Sequence, residues 1–301
     1  MKNKMIKATL AAFFAEVIFG FSFMFTKIAL NQASPITVIA NRYMVAFLGL
    51  SVVMIFTKTK ITFNKNIWKL VMMSVFQPVL YFLFESYGIE MTTSVFSSVM
   101  ISLIPVVAMI GGIFFLKEVP TFMQYVFMVL SVLGVVIMAL SGKSDGTVTT
   151  LGIVFLMGAV LTAVGYNITS RKISAEFSAL ERTYAMTIIG LVVFAFLAWI
   201  ENINNPENLI IGFADAKYLV SLLYLGVLSS VVAFLFLNYA NTYLPVAKTT
   251  VFANITTVVS VAAGAIFLKE KITVVTIIAT VMIIAGVWGV NVKGENYVKE
   301  K

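Results

Sequence analysis

Ten uninterrupted apolar stretches, each about as long as a bilayer is thick, divide this chain and leave it little choice of architecture. A helix needs about 20 apolar residues to cross the hydrocarbon layer. Stretches of that kind run from Ile6 to Leu30, Ile36 to Phe56, Ile67 to Tyr87, Ser94 to Leu116, Phe122 to Ser141, Thr150 to Ser170, Thr183 to Ile200, Tyr218 to Ala240, Val246 to Leu268 and Thr273 to Val292. The connections are mostly short, so no soluble domain is expected. The apolar residues run on instead of alternating, which argues against a transmembrane barrel. Of the residues, 60% are hydrophobic and 11% charged, against about 45–50% and about 25% in soluble domains. The expected class is an all-α integral membrane protein with ten transmembrane helices.

The absences narrow the chemistry. The chain has no Cys and no His, so disulfides, thiol nucleophiles, haem or iron–sulfur ligation, Cys/His zinc sites and imidazole relays are all excluded. No metal, cofactor or catalytic residue is expected. A formal net charge of +8 raises the question of nucleic acid, but the cations lie in short clusters between apolar stretches, a pattern of membrane orientation. Lys2, Lys4 and Lys7 precede an apolar stretch that is too long for a signal core, so it reads as the first span.

With the N-terminus inside, the inner segments hold 15 Lys and Arg, Arg171, Lys172 and Arg182 among them, against Lys143, Lys217, Lys269 and Lys271 outside. That asymmetry places both termini in the cytoplasm, and the expected setting is the cytoplasmic membrane of a bacterial cell, crossed many times by the chain.

The chain also repeats itself. Shifted by 152 residues, Leu80 to Leu140 superposes on Val232 to Val292 without a gap, and 16 of 61 positions are identical, where composition alone would give roughly five or six. Phe82/Phe234, Gly112/Gly264, Gly134/Gly286 and the shared run Phe-Leu-Lys-Glu ending at Glu118 and Glu270 are among them. Earlier helices match at nearby offsets, as Gly20, Lys27 and Ile28 with Gly165, Lys172 and Ile173, and Tyr43 with Tyr184. The reading is two five-helix units, residues 1–145 and 146–301. Because five is odd, the second unit must be inverted in the membrane, the architecture of secondary transporters built around a central cavity.

These residues resemble the ten-helix EamA-type transporters of the drug/metabolite transporter superfamily. The likeness rests on Phe19-Gly20-Phe21-Ser22-Phe23 with Lys27, on Asn41-Arg42-Tyr43, and on Ser97-Ser98, Pro105 and the Phe-Leu-Lys-Glu endings. It covers essentially the whole chain. Family members often carry Trp where Phe19 stands and a second-half proline where Thr257 stands. The resemblance implies transport of small molecules, amino acids and related metabolites being the commonest, and leaves the substrate open.

Two acidic residues lie within spans. At about 1.5 Å per residue, Glu16 sits roughly 4 Å from its midplane and Glu85 roughly 12 Å. An ionised Glu16 facing lipid costs about 2.5 kcal/mol or more, so it should face the interior, be paired or stay protonated. A substrate or proton-coupling role, a structural ion pair and a water-facing residue are its three readings. Ala15-Glu16-Val17-Ile18 also resembles the first helix of small multidrug resistance proteins, distant relatives whose membrane Glu binds protons and cations in competition.

Arg42, about 6 Å from its midplane, has three readings as well: pairing with Glu16, binding a carboxylate, or snorkelling. Lys27 is expected to snorkel to the outer surface. Gln77, Tyr81 and Glu85 share one helix face, lining a cavity or bonding to neighbours.

Ser94, Ser97, Ser98 and Ser102 form a small polar face leading to Pro105, which should kink its span. Their mates are Val246, Thr249, Thr250 and Asn254, with Lys248 beside them. Asn254 must use its hydrogen-bonding groups on a substrate or on packing. Tyr166 and Asn167, mates of the Phe21 region, should face the same cavity as the first helix. Aromatics at Phe21, Tyr81, Tyr166 and Phe236 suit a partly apolar substrate or plain packing. Ala108/Gly112 and Ser260/Gly264 should allow close helix approach.

The substrate-binding set expected from sequence is therefore Glu16, Phe21, Arg42, Gln77, Tyr81, Ser98, Ser102, Tyr166, Asn167 and Asn254, with Glu16 coupling protons. The function expected is export of small amphiphilic metabolites such as amino acids by a monomer whose partners are its substrate and the lipid bilayer. Proton-coupled extrusion of organic cations is the alternative. A membrane enzyme acting on lipids is disfavoured by the lack of a carboxylate cluster or a nucleophile–base pair. ATP-driven pumping is disfavoured by the lack of a Walker-type loop.

Overall fold

The computed structural model describes residues 2–57, 66–108, 110, 121–144, 147–244, 249 and 252–298, and among them no strand occurs. The helices are α1 (Lys2–Ala29), α2 (Pro35–Thr57), α3 (Ile67–Glu90), α4 (Ser94–Ala108), α5 (Phe122–Ser144), α6 (Thr150–Ile173), α7 (Ala179–Glu201), α8 (Ala216–Tyr243), α9 (Ala253–Phe267) and α10 (Val274–Val298). Seven of them, α1 to α3 and α5 to α8, are long and apolar enough to cross a membrane, and α4, α9 and the Val274–Gly289 part of α10 are shorter apolar stretches. Large apolar side chains stay exposed along the outside, among them Leu48, Leu140, Val192 and Ile278. A soluble protein would bury such a belt, and a bilayer covers it. The chain is a multi-pass membrane protein. Lys117, Glu118, Gly112, Val246, Lys248 and Thr250 lie outside the described residues.

Local sequence explains the breaks. Pro78 lacks the N–H that would continue the α3 ladder, and Gln77 before it is extended at φ −148°, ψ 117°, inside a widened turn from Val75 to Leu80. An equivalent widened segment, Tyr224–Ala233, lies in α8, so both halves loosen at the same place in the repeat. α4 is interrupted at Ser102–Leu103, directly before Pro105. The start of α7 differs from expectation. A capping box closes on Ser178 and Glu181, so the helix begins at Ala179 and not at Thr183. Arg182, counted among loop cations in the sequence, is in its first turn and wholly buried.

Lys27 does not snorkel. Its Nζ donates to the carbonyls of Ile89 at 2.7 Å, Glu90 at 3.3 Å and Thr92, bringing a cation to the carbonyl-rich end of α3. Arg171 does the same to α8, donating to the carbonyls of Asn241 and Thr242. Asn241 and Thr242 stand 152 residues after Ile89 and Glu90. The two caps sit at opposite ends of the bundle. At one end the Lys27 cap lies near the start of α6, where the Thr149 amide donates to the Met91 carbonyl. At the other, Lys4 of α1 lies 5.6 Å from the ring centre of Tyr243. So α1 runs toward the end where α6 starts, and the two run in opposite directions.

Packing pairs keep the same exchange. α1 packs on α8 and α9 while α6 packs on α3 and α4, and α2 with α7, α4 with α9 and α5 with α10 are pairs that exchange into themselves. A Cβ on Gly134 of α5 would meet Ile283 and the Ala279 carbonyl of α10, and one on Gly286 would meet Ser131 and the Phe127 carbonyl. Ile283 and Ala279 are the repeat mates of Ser131 and Phe127. Gly289, further along α10, meets Phe127, nearer the start of α5. Contacts rise along one helix as they fall along the other, so α5 and α10 are antiparallel and related as in a self-complementary interface.

Candidate functional site

Near the middle of the bundle, α1, α3, α4, α6, α8 and α9 leave a cavity of about 60 Å³, room for a few water molecules. Its wall follows the repeat: Phe82 and Phe234, Glu85 and Leu237, Ile101 and Ala253, and Ile104 and Thr256 all line it, each pair 152 residues apart. Ser22 and Asn167, 145 apart as Gly20 and Gly165 are, complete the set. The Phe82 and Phe234 rings meet edge to face, 6.1 Å between centres.

Two carboxylates reach this wall, and among the described residues no Lys or Arg lines it. Glu16, 8% exposed, stands on α1 four residues before Gly20. There a Cβ would meet Val259 and the Thr256 carbonyl, so the glycine lets α9 come close enough for contact. The Thr256 hydroxyl lies 2.6 Å from Glu16 Oε2 and 2.8 Å from the Glu16 carbonyl. Glu85, 4% exposed, accepts from the Tyr81 hydroxyl at 2.8 Å. Among the described residues the one ion pair joins Lys69 to Glu176, so neither cavity carboxylate is paired.

Arg42 does not reach Glu16. Its Nε donates to Ser230 at 2.7 Å and its terminal nitrogen to Ser229 at 2.9 Å, and its guanidinium lies 4.0 Å from the Phe82 ring centre. That corrects both the paired and the snorkelling readings: the charge is buried, held by hydroxyls of the loosened α8 segment and an aromatic face. It stands behind the cavity wall and not on it.

Of the other residues expected from sequence, Gln77, Tyr81 and Asn167 line the cavity. Tyr166 is fully buried and donates to Asn238 at 3.1 Å, away from the cavity. Ser98 and Ser102 return their hydroxyls to the carbonyls of Val95 and Val99 on their own helix, and the Thr257 hydroxyl donates to the Ser98 carbonyl at 3.3 Å. They belong to the α4–α9 packing seam. Phe21 faces a different groove, with Met24, Phe25 and Tyr224, and Phe236 points outward. Asn254 is not on the wall, although its buried Oδ1 has no hydrogen-bond partner among the described residues.

The binding set expected from sequence left out Thr249, Ala253 and Thr256, although Thr249 is named on the polar face of the ninth span; all three line the cavity. Their i, i+4, i+7 spacing carried the signal. The set also left out Glu85, because depth was judged from the centre of the apolar stretch and not from where the broken helix turns.

A family model described as the EamA-like transporter family matches residues 6–140 and again residues 150–292. An uncharacterized transporter of Bacillus subtilis, YcxC, is 30% identical over 303 residues, spanning 99% of this chain and 97% of its own. An uncharacterized transporter of Archaeoglobus fulgidus is 24% identical over 270 residues, covering 89% and 93%. One solved crystal structure superposes with a TM-score of 0.66 at 14% identity, over 94% of this chain and 97% of that one, a likeness of fold alone.

Proposed function

This chain belongs to the EamA-like transporter family, a family of transporters and not of enzymes, and from that premise we propose that it is a secondary transporter working by alternating access about the Glu16 cavity. Residues 1–145 and 146–301 are two inverted five-helix units, each helix of one running opposite to its mate in the other, so rocking one on the other exposes the cavity to each side in turn. The opposed courses of α1 and α6, the antiparallel α5–α10 pair and the repeat-paired wall support this reading. Both termini face the cytoplasm of a bacterial cell, and transport is outward.

The occupant presents a cation. Two carboxylates without an ion-pair partner, on a wall that carries no Lys or Arg among the described residues, form a site that favours positive charge. Phe19, Phe23, Phe82 and Phe234 offer apolar and π surface to the rest of the molecule. A small amphiphilic organic amine suits that wall better than an amino acid, whose carboxylate would find only neutral donors such as Gln77 and Asn167. Glu16 takes either a proton or the ammonium group, and exclusive occupancy of one carboxylate couples the two fluxes. The observation that carries the proposal is Glu16 on the cavity wall, held by Thr256 and by no cation among the described residues.

Proteoliposomes with an imposed pH gradient test it. Glu16→Gln should abolish pH-driven flux of quaternary and primary amines while leaving a thermal melt unchanged. Flux that survives with the same pH dependence overturns the coupling role.

A further inference from the structure

A second concavity lies on the flank of the bundle, at the end where α1 finishes. It measures about 750 Å³ and lies between Phe21, Phe25 and Ile28 of α1, Tyr224 of α8, and Phe267 and Leu268 at the end of α9. The Phe25 and Tyr224 rings stack in it, 4.2 Å between centres, and the Tyr224 hydroxyl is turned away to the Ile18 carbonyl at 3.0 Å. The interior of the groove is therefore apolar. From Phe21 to Asn31 it climbs ten residues, about 15 Å, the depth of one leaflet of a hydrocarbon layer about 30 Å thick.

Charge is uneven at its mouth. Lys217 lines the groove, and Lys269 and Lys271 follow its last lining residue, Leu268, in the chain. All three are exposed, and none makes an ion pair among the described residues. Nearby acids are already occupied. Asp215 accepts from the amides of Lys217 and Tyr218 and from Gln32. Glu270 accepts from the amides of Ser94 and Val95 at 2.8 and 3.0 Å. Glu201 accepts from Ser34 and Thr37. These carboxylates keep their charge but direct it at amides and hydroxyls, and the three lysines outnumber the two acids beside them in the chain, Asp215 and Glu270, leaving the mouth net positive at headgroup depth.

We infer that this groove holds one anionic membrane phospholipid, an acyl chain between the Phe25–Tyr224 stack and Phe267 and the phosphate among Lys217, Lys269 and Lys271. A zwitterionic lipid fills the groove equally well but brings no net charge to the lysines. A soluble phosphate ester brings the charge but no chain. The match of an apolar slot one leaflet deep to a cationic rim selects a lipid that has both.

The test uses the purified full chain, stripped of lipid in detergent, with retained lipid counted by native mass spectrometry. Phosphatidylglycerol should be retained over phosphatidylcholine by roughly tenfold or more, given about fivefold per lysine near a headgroup. Substituting Lys217→Gln, Lys269→Gln and Lys271→Gln together should bring that ratio close to one. These side chains are exposed, so a melt should confirm that the variant still folds. Ile28→Trp, which fills the slot, should reduce retention of both lipids alike. The proposal fails if the wild-type chain shows no preference, if the triple variant keeps it, or if Ile28→Trp retains both lipids unchanged. It also fails if soluble glycerol phosphate displaces phosphatidylglycerol as effectively as the lipid does, since the groove would then contribute nothing.

Discussion

Glu85 on α3 and Leu237 on α8 stand 152 residues apart on matching places of one cavity wall, and one of them is charged. Glu16 has the same relation to Leu161, 145 residues on, which is exposed on the outside of α6. Elsewhere the halves agree: Phe82 meets Phe234, Gly134 and Gly286 pack reciprocally, and Lys27 and Arg171 close α3 and α8. What the repeat keeps twice is the scaffold, joints and caps that each half needs to fold. What it keeps once is the charge, which a single cavity needs once.

That contrast is most open to attack at the carboxylates. Glu16→Gln should reduce pH-driven flux by about 100-fold, the factor matching about 2.7 kcal/mol of carboxylate chemistry in hydrocarbon, and Glu85→Gln by less, since Tyr81 shares that carboxylate. Exchange sharpens the point. If the cavity is two-fold in shape, Glu85→Leu combined with Leu237→Glu should recover part of the amine binding that Glu85→Leu loses, measured by ligand-induced thermal shift. No recovery would mean that the two walls are equivalent in sequence alone.

The cap positions differ less obviously. Arg182 is 0% exposed and donates to the carbonyls of Ser170 and Asn238 and to the hydroxyls of Ser170 and Thr242. The residue at its place in the first half, by the offset that joins Tyr43 to Tyr184, is Asn41, which donates to the Leu209 carbonyl and the Tyr218 hydroxyl. Arg182→Ala removes all four of these buried or half-buried bonds at once, although the Asn238 carbonyl keeps the Thr242 hydroxyl, and should cost about 3–5 kcal/mol. Asn41→Ala should cost about 1 kcal/mol. Denaturant unfolding in mild detergent gives both, and equal losses would show that Arg182 is not the joint its bonds describe.

How much of this was legible follows from what each signal reports. Apolar length located the seven described helices that are long enough to cross a membrane, because the bilayer sets it directly. The repeat showed Gly134 and Gly286 as an identical pair without their role, while the close approach expected at Ser260/Gly264 is met, a Cβ on Gly264 running into Val95 and Ser94 of α4. The destinations of polar side chains were harder. Ser98, Ser102 and Tyr166 looked like site residues because polarity in a membrane helix demands a partner, but the partner was a carbonyl on the same helix or, for Tyr166, Asn238 on α8. Arg182 was misplaced because a cation beside a short connection reads as a loop. The Ser178–Glu181 capping box, legible as Ser-Ala-Leu-Glu, could have placed it inside a helix.

The reciprocal glycines come next in size. Gly286→Ala drives a methyl into Ser131 and the Phe127 carbonyl, and Gly134→Ala drives one into Ile283 and the Ala279 carbonyl. Each should cost about 1–3 kcal/mol of stability, and the double variant should cost less than the sum, because a single separation of α5 from α10 relieves both. Strict additivity would mean that the two contacts are independent, and the two-fold joint would be lost as an explanation.

The smallest effect lies at the Arg182 end, in a contact with no counterpart among the joints shared by the halves. Glu176, between α6 and α7, accepts from Lys69 and from Asn66 at 2.7 Å, and the Lys69 bond holds its carboxyl below the usual carboxylate range. A carboxyl with a lower pKa folded than unfolded stabilises the fold fully above its unfolded pKa and loses that contribution as pH falls through the lower, folded value. Melting of the wild-type chain should therefore dip slightly more than that of Glu176→Gln as pH falls through the acidic range, and the two should be nearly indistinguishable at 1 M salt, where an exposed pair is screened. A large loss in Glu176→Gln at neutral pH would mean that this connection, and not the duplicated caps, fixes how α3 sits against α6 and α7.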